Sequence, residues 1–366
     1  MKRAAVWLMC LALLFLSCAA RGAEAPAPGQ EQAAPAEAQS PLFPIAQDGK
    51  WGFIDRTGKI IVAPQFDGAR KSIEGLARVI RDNRWGYVDL AGNLVMKTQF
   101  DLANDFSEGL AAVHVGGKLT KGGGYTGGQW GYIDKTGKMV IAAQFHAIAE
   151  KFSDGVAAVG NFSRAGGGFS MDVTYIDRQG KAALPSRFDM SWGFSEGLAA
   201  VLVGGLEKGK WGYIDRQGNV AIKPQFDEAS AFSEGLAAVK QGDKWGAVDK
   251  AGKLVIKPQY DDAFWFSEGL AAVKIGDAKT GQWGYMDQTG NVIIKPELGA
   301  AQGFREGLAA VKTGDKYGYI DKTANAVIKP QFDDADDFSD GLARVAVGKR
   351  RGYIDRTGSY VWQMQE

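Results

Sequence analysis

A two-residue motif, tryptophan followed by glycine, recurs along most of this 366-residue chain and constrains its fold more than any other feature. Successive copies, counted with degenerate ones that begin at Val173, Tyr317 and Arg351, are separated by 34, 45, 43, 38, 34, 38, 34 and 34 residues. A fixed period of about 20–50 residues is typical of proteins that stack one structural unit many times. The intact copies are Trp51-Gly52, Trp85-Gly86, Trp130-Gly131, Trp211-Gly212, Trp245-Gly246 and Trp283-Gly284.

The composition of each unit favours β-strands over helices. The unit from Leu236 to Gly269 reads LAAVKQGDKWGAVDKAGKLVIKPQYDDAFWFSEG. Each of its glycines would cost a helix interior about 1 kcal/mol, and its apolar residues do not recur at helical spacing. Short runs rich in Val, Ile, Tyr and Trp instead alternate with Gly and Asp turns, which is the pattern of strands. We predict strands at Leu236–Lys240, Lys244–Asp249 and Lys253–Lys257.

The links between these strands predict tight turns. A recurring Asp-x-x-Gly turn, here Asp249 to Gly252, lets the carboxylate accept turn amides while the glycine takes a positive φ. Pro258 is predicted to end the third strand because it has no amide to donate. An aspartate also follows the repeated Phe or Tyr of most units, which indicates a structural role within the unit, such as capping a turn. These aspartates are Asp67, Asp101, Asp227, Asp261 and Asp333.

Alternation along the middle strand predicts which side chains pack between units. It places Trp245 on one face of the sheet and Gly246 on the other. Gly246 and the small Ala237 beside it are expected to leave room for a bulky ring, either Tyr260 or Phe266. A lone three-stranded sheet cannot stably bury such a face, so the next unit is expected to stack against it. We expect the repeated tryptophans to belong to this core; the alternative is that they line ligand sites between units.

The complete repeat resembles the WG repeat family, which occurs mainly in bacteria. The resemblance runs from Leu42 to Gln365 and rests on Trp-Gly-[Tyr/Phe/Ala]-[Ile/Val/Met]-Asp-x-x-Gly, then Ile-Lys-Pro-Gln-Phe-Asp, then Phe-Ser-Glu-Gly-Leu-Ala. It implies a β-rich repeat domain that is often exported.

The predicted fold is all-β, with residues 42–366 forming a tandem array of about nine three-stranded antiparallel units. We expect the array to be an open solenoid or superhelix. The alternative is a closed, propeller-like ring, because sequential meanders also build propellers. The sequence shows no strand exchanged between its two ends, and nine three-stranded blades would be unusual.

The N-terminus predicts export. Lys2 and Arg3 precede an uncharged apolar run, Ala4 to Leu16, which is typical of a signal peptide over residues 1–18 and too short to span a bilayer. The run ends at Ser17-Cys18, which resembles a lipobox and predicts lipidation of Cys18; ordinary cleavage nearby is the alternative. Residues 19–41, rich in Ala, Pro and Glu, are read as a disordered tether. We expect a periplasmic or surface protein, and an outer-membrane lipoprotein in a Gram-negative cell.

The chemistry of the chain argues against catalysis, metal sites and cofactors. Both cysteines lie in the predicted signal peptide, and the two histidines, His114 and His146, sit in different repeats. Zinc sites and Ser-His-Asp triads need such groups clustered. Without Lys2 and Arg3, 41 basic residues face 42 acidic ones, so the near-neutral charge argues against nucleic acid as a partner. We expect that this protein is not an enzyme.

Four insertions break the repeat, and all enlarge the turn between the first and second predicted strands. The two longest, Gly116–Gly128 and Gly160–Met171, are glycine-rich and read as mobile tips. Stacking would bring them to one edge, where repeat proteins often bind partners. The candidate binding residues there are Lys118, Tyr125, Phe162, Arg164 and Phe169. The predicted function is therefore a protein-interaction scaffold on the cell envelope. The alternative is a carbohydrate or cell-wall binding module that uses aromatic residues between repeats.

Overall fold

The computed structural model describes residues 40–364 except 166–167, 186, 264 and 278, and over 162–171 it describes the backbone alone. The repeat domain, Gln39–Glu366, is one compact unit. The predicted signal peptide with Cys18, and all of the predicted tether except Ser40 and Pro41, lie outside the described residues.

Nine antiparallel blades make up the described part of the chain, which contains no helix able to cross a membrane. Most blades add a two-residue strand in front of the three predicted ones. The blades are blade 1, β1 Phe43–Gln47, β2 Lys50–Ile54, β3 Ile60–Phe66; blade 2, β4 Gly68–Ala69, β5 Leu76–Arg81, β6 Arg84–Asp89, β7 Leu94–Phe100; and blade 3, β8 Leu102–Ala103, β9 Leu110–Val115, β12 Gln129–Asp134, β13 Met139–Phe145. Blade 3 also carries the small hairpin β10 Lys118–Leu119 and β11 Tyr125–Thr126.

The other six blades continue the same order along the chain. They are blade 4, β14 Ile148–Ala149, β15 Val156–Ala165, β16 Gly168–Asp177; blade 5, β17 Met190–Ser191, β18 Ala199–Val203, β19 Lys210–Ile214, β20 Val220–Phe226; blade 6, β21 Glu228–Ala229, β22 Leu236–Gln241, β23 Lys244–Asp249, β24 Leu254–Tyr260; blade 7, β25 Asp262–Ala263, β26 Leu270–Ile275, β27 Gln282–Asp287, β28 Val292–Leu298; blade 8, β29 Ala300–Ala301, β30 Ala309–Thr313, β31 Lys316–Ile320, β32 Ala326–Phe332; and blade 9, β33 Asp334–Ala335, β34 Ala343–Val347, β35 Arg350–Ile354, β36 Tyr360–Gln363.

Blade 6 confirms the first two predicted strands and corrects the third. The last strand, β24, continues through Pro258 to Tyr260 instead of stopping before it. Trp245 pairs with Tyr260 and Ala247 pairs with Ile256, so three residues of β24 lie opposite the single Gly246 of β23, and Pro258 is the middle one of this bulge. A bulge on an edge strand needs no amide from that residue, so proline is tolerated there.

The role of the repeated glycine after tryptophan also differs from the predicted one. A Cβ on Gly246 would lie 2.4 Å from the carbonyl oxygen of Ile256 and 2.8 Å from the nitrogen of Pro258. The space over Gly246 is therefore filled by the bulged backbone of β24, and not by the ring of Tyr260 or Phe266. Gly246 therefore makes direct backbone contact with the bulge that contains Pro258.

The core lies between blades, as the predicted stacking of units requires, and each blade contributes both faces of its sheet, as blade 6 shows. Ala237 and Val248 of blade 6 pack with residues of blade 5, whereas Ala247 and Leu236 pack with residues of blade 7. The largest core side chain of most blades is a tyrosine two residues after the Trp position. Its hydroxyl donates to a backbone carbonyl of the next blade, as from Tyr285 to Gln302 at 2.6 Å. Tyr87, Tyr132, Tyr175, Tyr213 and Tyr319 make the equivalent bond.

The array is closed, so the prediction of an open solenoid is wrong and the propeller-like ring is the observed fold. Tyr353 of blade 9 donates its hydroxyl to the carbonyl of Pro44 in blade 1, at 3.0 Å, and its ring meets Phe43 edge-on. Leu342 joins them in one buried cluster with Ile45. Each described blade takes its strands from one stretch of chain, so the ring closes by side-chain packing without the strand exchange that the prediction required.

Candidate functional site: an aromatic cleft across blades 4 to 7

A cleft of about 590 Å³ lies against equivalent residues of four consecutive blades. It is lined mainly by the segments that follow the short first strands β14, β17, β21 and β25. Neighbouring blades present equivalent positions to a common space where their inner edges converge, so the cleft faces the interior of the ring. The lining includes four tryptophans, Trp192, Trp211, Trp245 and Trp265.

Trp192 projects into this cleft in a fixed orientation. Its side chain is 46 % exposed. The indole Nε1 donates to the carbonyl of Ala229 in the next blade at 3.1 Å. Its ring also stacks on Trp211, with centroids 5.8 Å apart and planes only 8° from parallel. Two contacts thus hold one large apolar ring in place while nearly half of it faces solvent.

A second exposed ring and a missing tyrosine occur at blades 6 and 7. Trp265 is 50 % exposed and lies directly before the repeated, buried Phe266. Blade 6 has Ala247 where most blades have the core tyrosine, and Trp245 of the same blade lines the cleft. Two residues that depart from the repeat, Trp192 and Trp265, thus line the same cleft.

The polar groups of the cleft are close to neutral in sum. Glu228 pairs with Lys240 at 2.7 Å, and the ammonium of Lys240 lies 5.8 Å from the ring centroid of Trp245. This ion pair raises the pKa of Lys240, chiefly through the hydrogen bond from its ammonium to Glu228. Glu150 and Lys151, adjacent in blade 4, add one charge of each sign.

Sequence comparison places the repeat in a known family. The model of the WG containing repeat matches eight times, at residues 51–85, 85–118, 130–161, 174–206, 211–245, 245–277, 283–317 and 317–350. The chain belongs to the WG repeat family. A search of curated protein sequences found no match to this WG protein.

Several solved structures share limited similarity with the WG ring. One is Hsv2 of Kluyveromyces lactis with its loop 6CD replaced by a Gly-Ser linker, at 12 % identity and a TM-score of 0.40, covering 69 % of this chain and 95 % of that one. Another is the β-propeller domain of the Trilobed protease of Pyrococcus furiosus, described as having an open velcro topology. It shows 9 % identity and a TM-score of 0.39, covering 72 % of this chain and 91 % of that one.

The tryptophans of the WG motif are mostly half-buried, so they are neither full core residues nor free ligand platforms. Of the six, Trp211 alone is buried, at 8 % exposure; Trp51, Trp85, Trp130, Trp245 and Trp283 are intermediate. Sequence reasoning centred on these residues and missed Trp192 and Trp265. The available signal was a tryptophan at a position where other units vary.

The aspartate after the repeated Phe or Tyr of the WG unit caps a turn, as predicted. Asp261 accepts the amide of Gly276 in the next blade at 2.8 Å and pairs with Lys244 of its own unit at 2.6 Å. The hydrogen bond from Lys244, followed by that from Gly276, lowers the pKa of Asp261. The equivalent amide bonds are made by Asp67, Asp101, Asp227 and Asp333.

The insertions of the WG ring occur at one kind of turn, between the second and third strands of blades 3, 4, 5 and 7. The sequence predicted that the two longest insertions are mobile tips, but both contain paired strands. Over 160–171 the chain lengthens β15 and β16 into a paired hairpin arm, with Phe162 opposite Met171 and Arg164 opposite Phe169. The register therefore brings Phe162, Arg164 and Phe169 together on this arm.

The insertion of blade 3 is also ordered. Lys118 pairs with Thr126 in the β10–β11 hairpin. The hydroxyl of Tyr125 donates to the carbonyl of Asn83 in blade 2, and the guanidinium of Arg84 lies 5.3 Å from the Tyr125 ring centroid. Tyr125 thus attaches its loop to the neighbouring blade and is not a free recognition residue.

The histidines of the WG ring lie apart. His114 is buried beside Asp101, with Nδ1 and Oδ2 3.0 Å apart, and burial lowers the pKa of His114. His146 contacts Gln129 and Asn161. Within the described residues no three His, Cys, Asp or Glu side chains are grouped to hold a metal. The absence of cofactor and catalytic activity stays a prediction.

Proposed function

We propose that this WG propeller is a non-catalytic interaction scaffold of the cell envelope, and that it recruits a protein through the hairpin arm of blade 4. Support for an envelope location comes from the N-terminal sequence, with its charged start, short apolar run and Cys18.

The observation that carries this proposal is the free backbone of the arm. Residues 161–165 and 168–172 pair only with each other among the described residues, because β14 ends its pairing at Gly160 and the bridge to Phe188 begins at Val173. Both edges of the arm therefore offer unpaired amides and carbonyls. Such edges bind extended segments of other proteins by strand addition.

The test shortens the arm without touching the ring. Residues 161–171 are replaced by Gln-Gly-Asp, the turn that blade 6 uses at the same place, so that Asp172 takes the position of Lys244. Binding of envelope proteins to the full-length variant is compared with wild type. A partner identified with wild type should bind it directly when purified and should lose binding to the variant. The thermal midpoint should change by no more than about 2–4 °C, because the arm lies beyond the packed blades.

A matched control shortens the insertion of blade 5, residues 204–208, which lies at the equivalent turn and lacks a paired arm. This change should leave partner binding intact. Equal binding by wild type and the arm-shortened protein would show that the arm is not the recruiting surface.

Carbohydrate binding is the second candidate function. It is favoured by one specific observation, the exposed and oriented indole of Trp192.

A further inference from the structure

The positions of Trp192 and Trp265 need no large side chain for the fold. The residue two before the repeated aromatic is small or polar in five other blades, and blade 7 has Phe264 there; the five are Asn104, Glu150, Ser230, Gln302 and Asp336. The residue one before it is otherwise Asp105, Lys151, Gly193, Ala231, Gly303 or Asp337. A tryptophan that remains about half exposed at such a position gives up much of the stabilisation that burial provides, so its retention here points to contact with a ligand.

The geometry of Trp192 makes it a prepared platform. Trp211 covers one face of the ring and the carbonyl of Ala229 takes up its N–H, so the exposed surface is the opposite, purely apolar face. Since the ring is already held in place, a ligand that stacks on it loses little additional conformational entropy. The 590 Å³ cleft is within the range of about 300–1,000 Å³ that small-molecule sites occupy.

The polar groups around the platform select the class of ligand. The hydroxyl of Ser153 donates to the carbonyl of Phe194, and that of Ser195 donates to the carbonyl of Phe232. Each serine hydroxyl oxygen can therefore still accept a hydrogen bond from a ligand. Glu228 and Lys240 neutralise each other, and Glu150 and Lys151 carry opposite charges. A charged ligand gains little from such a rim. A neutral molecule with one flat C–H face and many hydroxyls matches both the ring and the rim.

We propose that this cleft binds a neutral pyranose unit of a glycan, with the sugar's C–H face stacked on Trp192 and Trp265 as the second aromatic contact. The proposal rests on the second candidate function, carbohydrate binding, and names its site and ligand class; it is separate from the scaffold function, because it concerns the interior of the ring and not the hairpin arm.

Titration of the full-length protein with neutral trisaccharides tests the proposal. The probes are triacetylchitotriose, cellotriose and maltotriose, and choline serves as a cationic probe; binding is followed by calorimetry. At least one trisaccharide should bind wild type at millimolar concentration or below, and Trp192→Ala should weaken that affinity about tenfold or more, the loss of one good aromatic contact. Trp265→Ala should weaken it in the same direction.

Tyr360→Ala is the matched control, because Tyr360 is 41 % exposed and lies in the last strand of blade 9, away from the cleft. It should leave sugar affinity unchanged, and all three variants should keep the wild-type circular dichroism spectrum. The arm-shortened protein should bind sugar like wild type, which separates this test from that of the scaffold function. Failure of every trisaccharide to bind, equal binding by wild type and Trp192→Ala, or Trp192-dependent binding of choline alone would each overturn the proposal.

Discussion

At the scale of single residues, the repeat is defined by close contacts more than by bulk. Gly246 is needed because the backbone of β24 passes where its Cβ would be. The tryptophan beside it is only half-buried, and the larger share of the core comes from the tyrosine two positions later in most blades. The tryptophan and the glycine of the motif therefore serve different purposes, and we expect the glycine to tolerate substitution less well.

Gly246→Ala should destabilise the protein because the nearest atoms, 2.4 and 2.8 Å from the new Cβ, are backbone atoms that cannot rotate away. We expect a loss of about 1–3 kcal/mol in the free energy of unfolding, as for overpacking elsewhere. Gly193→Ala is the control, since a Cβ there meets nothing within 4 Å. It should stabilise by about 0.4–1 kcal/mol through the unfolded chain. Urea denaturation of both variants measures the difference, and equal effects would contradict it.

At the scale of elements, the Asp-x-x-Gly turns and the Phe-Asp links hold each blade to its own hairpins and to the next blade. In blade 6, Asp249 accepts the amides of Ala251 and Lys253 at 3.0 and 2.9 Å, and Gly252 has a φ of 79°, as the sequence predicted. Equivalent turns recur around the ring, and in blade 8 Ala324, at a φ of 67°, takes the place of the glycine. Their carboxylates make stability depend on pH.

Asp321 shows the sign of this dependence. The hydroxyl of Thr323, then the amide of Asn325, lowers the pKa of Asp321 from 3.8 to about 2. Because the folded pKa is below the unfolded one, the stabilisation is fully present above pH 3.8 and is lost as the pH falls toward 2. The advantage of wild type over Asp321→Asn in urea midpoint should therefore shrink across this interval. A difference that stays constant from pH 5 to pH 2 would refute the prediction.

At the scale of the whole molecule, the interface between blades 9 and 1, the seam of the ring, is packed like the other blade interfaces but has different polar contacts. Asp340 occupies the place of the carboxylates that elsewhere accept a glycine amide from the next blade, as Glu306 does from Gly341 and Asp154 does from Gly197. At the seam the equivalent position is Pro41, which has no amide, and Asp340 instead pairs with Lys71 of blade 2 at 2.6 Å. The same ammonium contacts Ser339 and lies 4.8 Å from the ring centroid of Phe43.

Closure of the ring predicts that the seam is as costly to disrupt as an internal interface. Tyr353 at the seam and Tyr319 inside the array are both buried, and each donates to the next blade. Tyr353→Ala and Tyr319→Ala should both cost about 3–5 kcal/mol, as for other large buried aromatics. Chemical denaturation of the two variants compares them. In an open array Tyr353 would face solvent, so a near-neutral Tyr353→Ala beside a costly Tyr319→Ala would argue against closure in solution.

Local patterns in the sequence determined the repeat, its strands and its turns. Alternation, β-branched content and Asp-x-x-Gly spacing act over a few residues, so they can be read without a structure, and the strand Lys244–Asp249 was predicted to the residue. The strand through Pro258 was not, because whether proline is tolerated depends on a bulge and on having a free edge. The two-residue first strands escaped notice for a related reason: each exists only through its pairing with the next strand.

The tertiary structure alone decided closure and the position of the cleft. A 34-residue repeat fixes how one blade packs on the next, but whether nine such steps end in register depends on small rotations that add up around the ring. Trp192 and Trp265 lie 73 residues apart in the sequence, in units separated by blade 6. They line one cleft because the ring brings the inner edges of its blades together, and no local pattern carries that information.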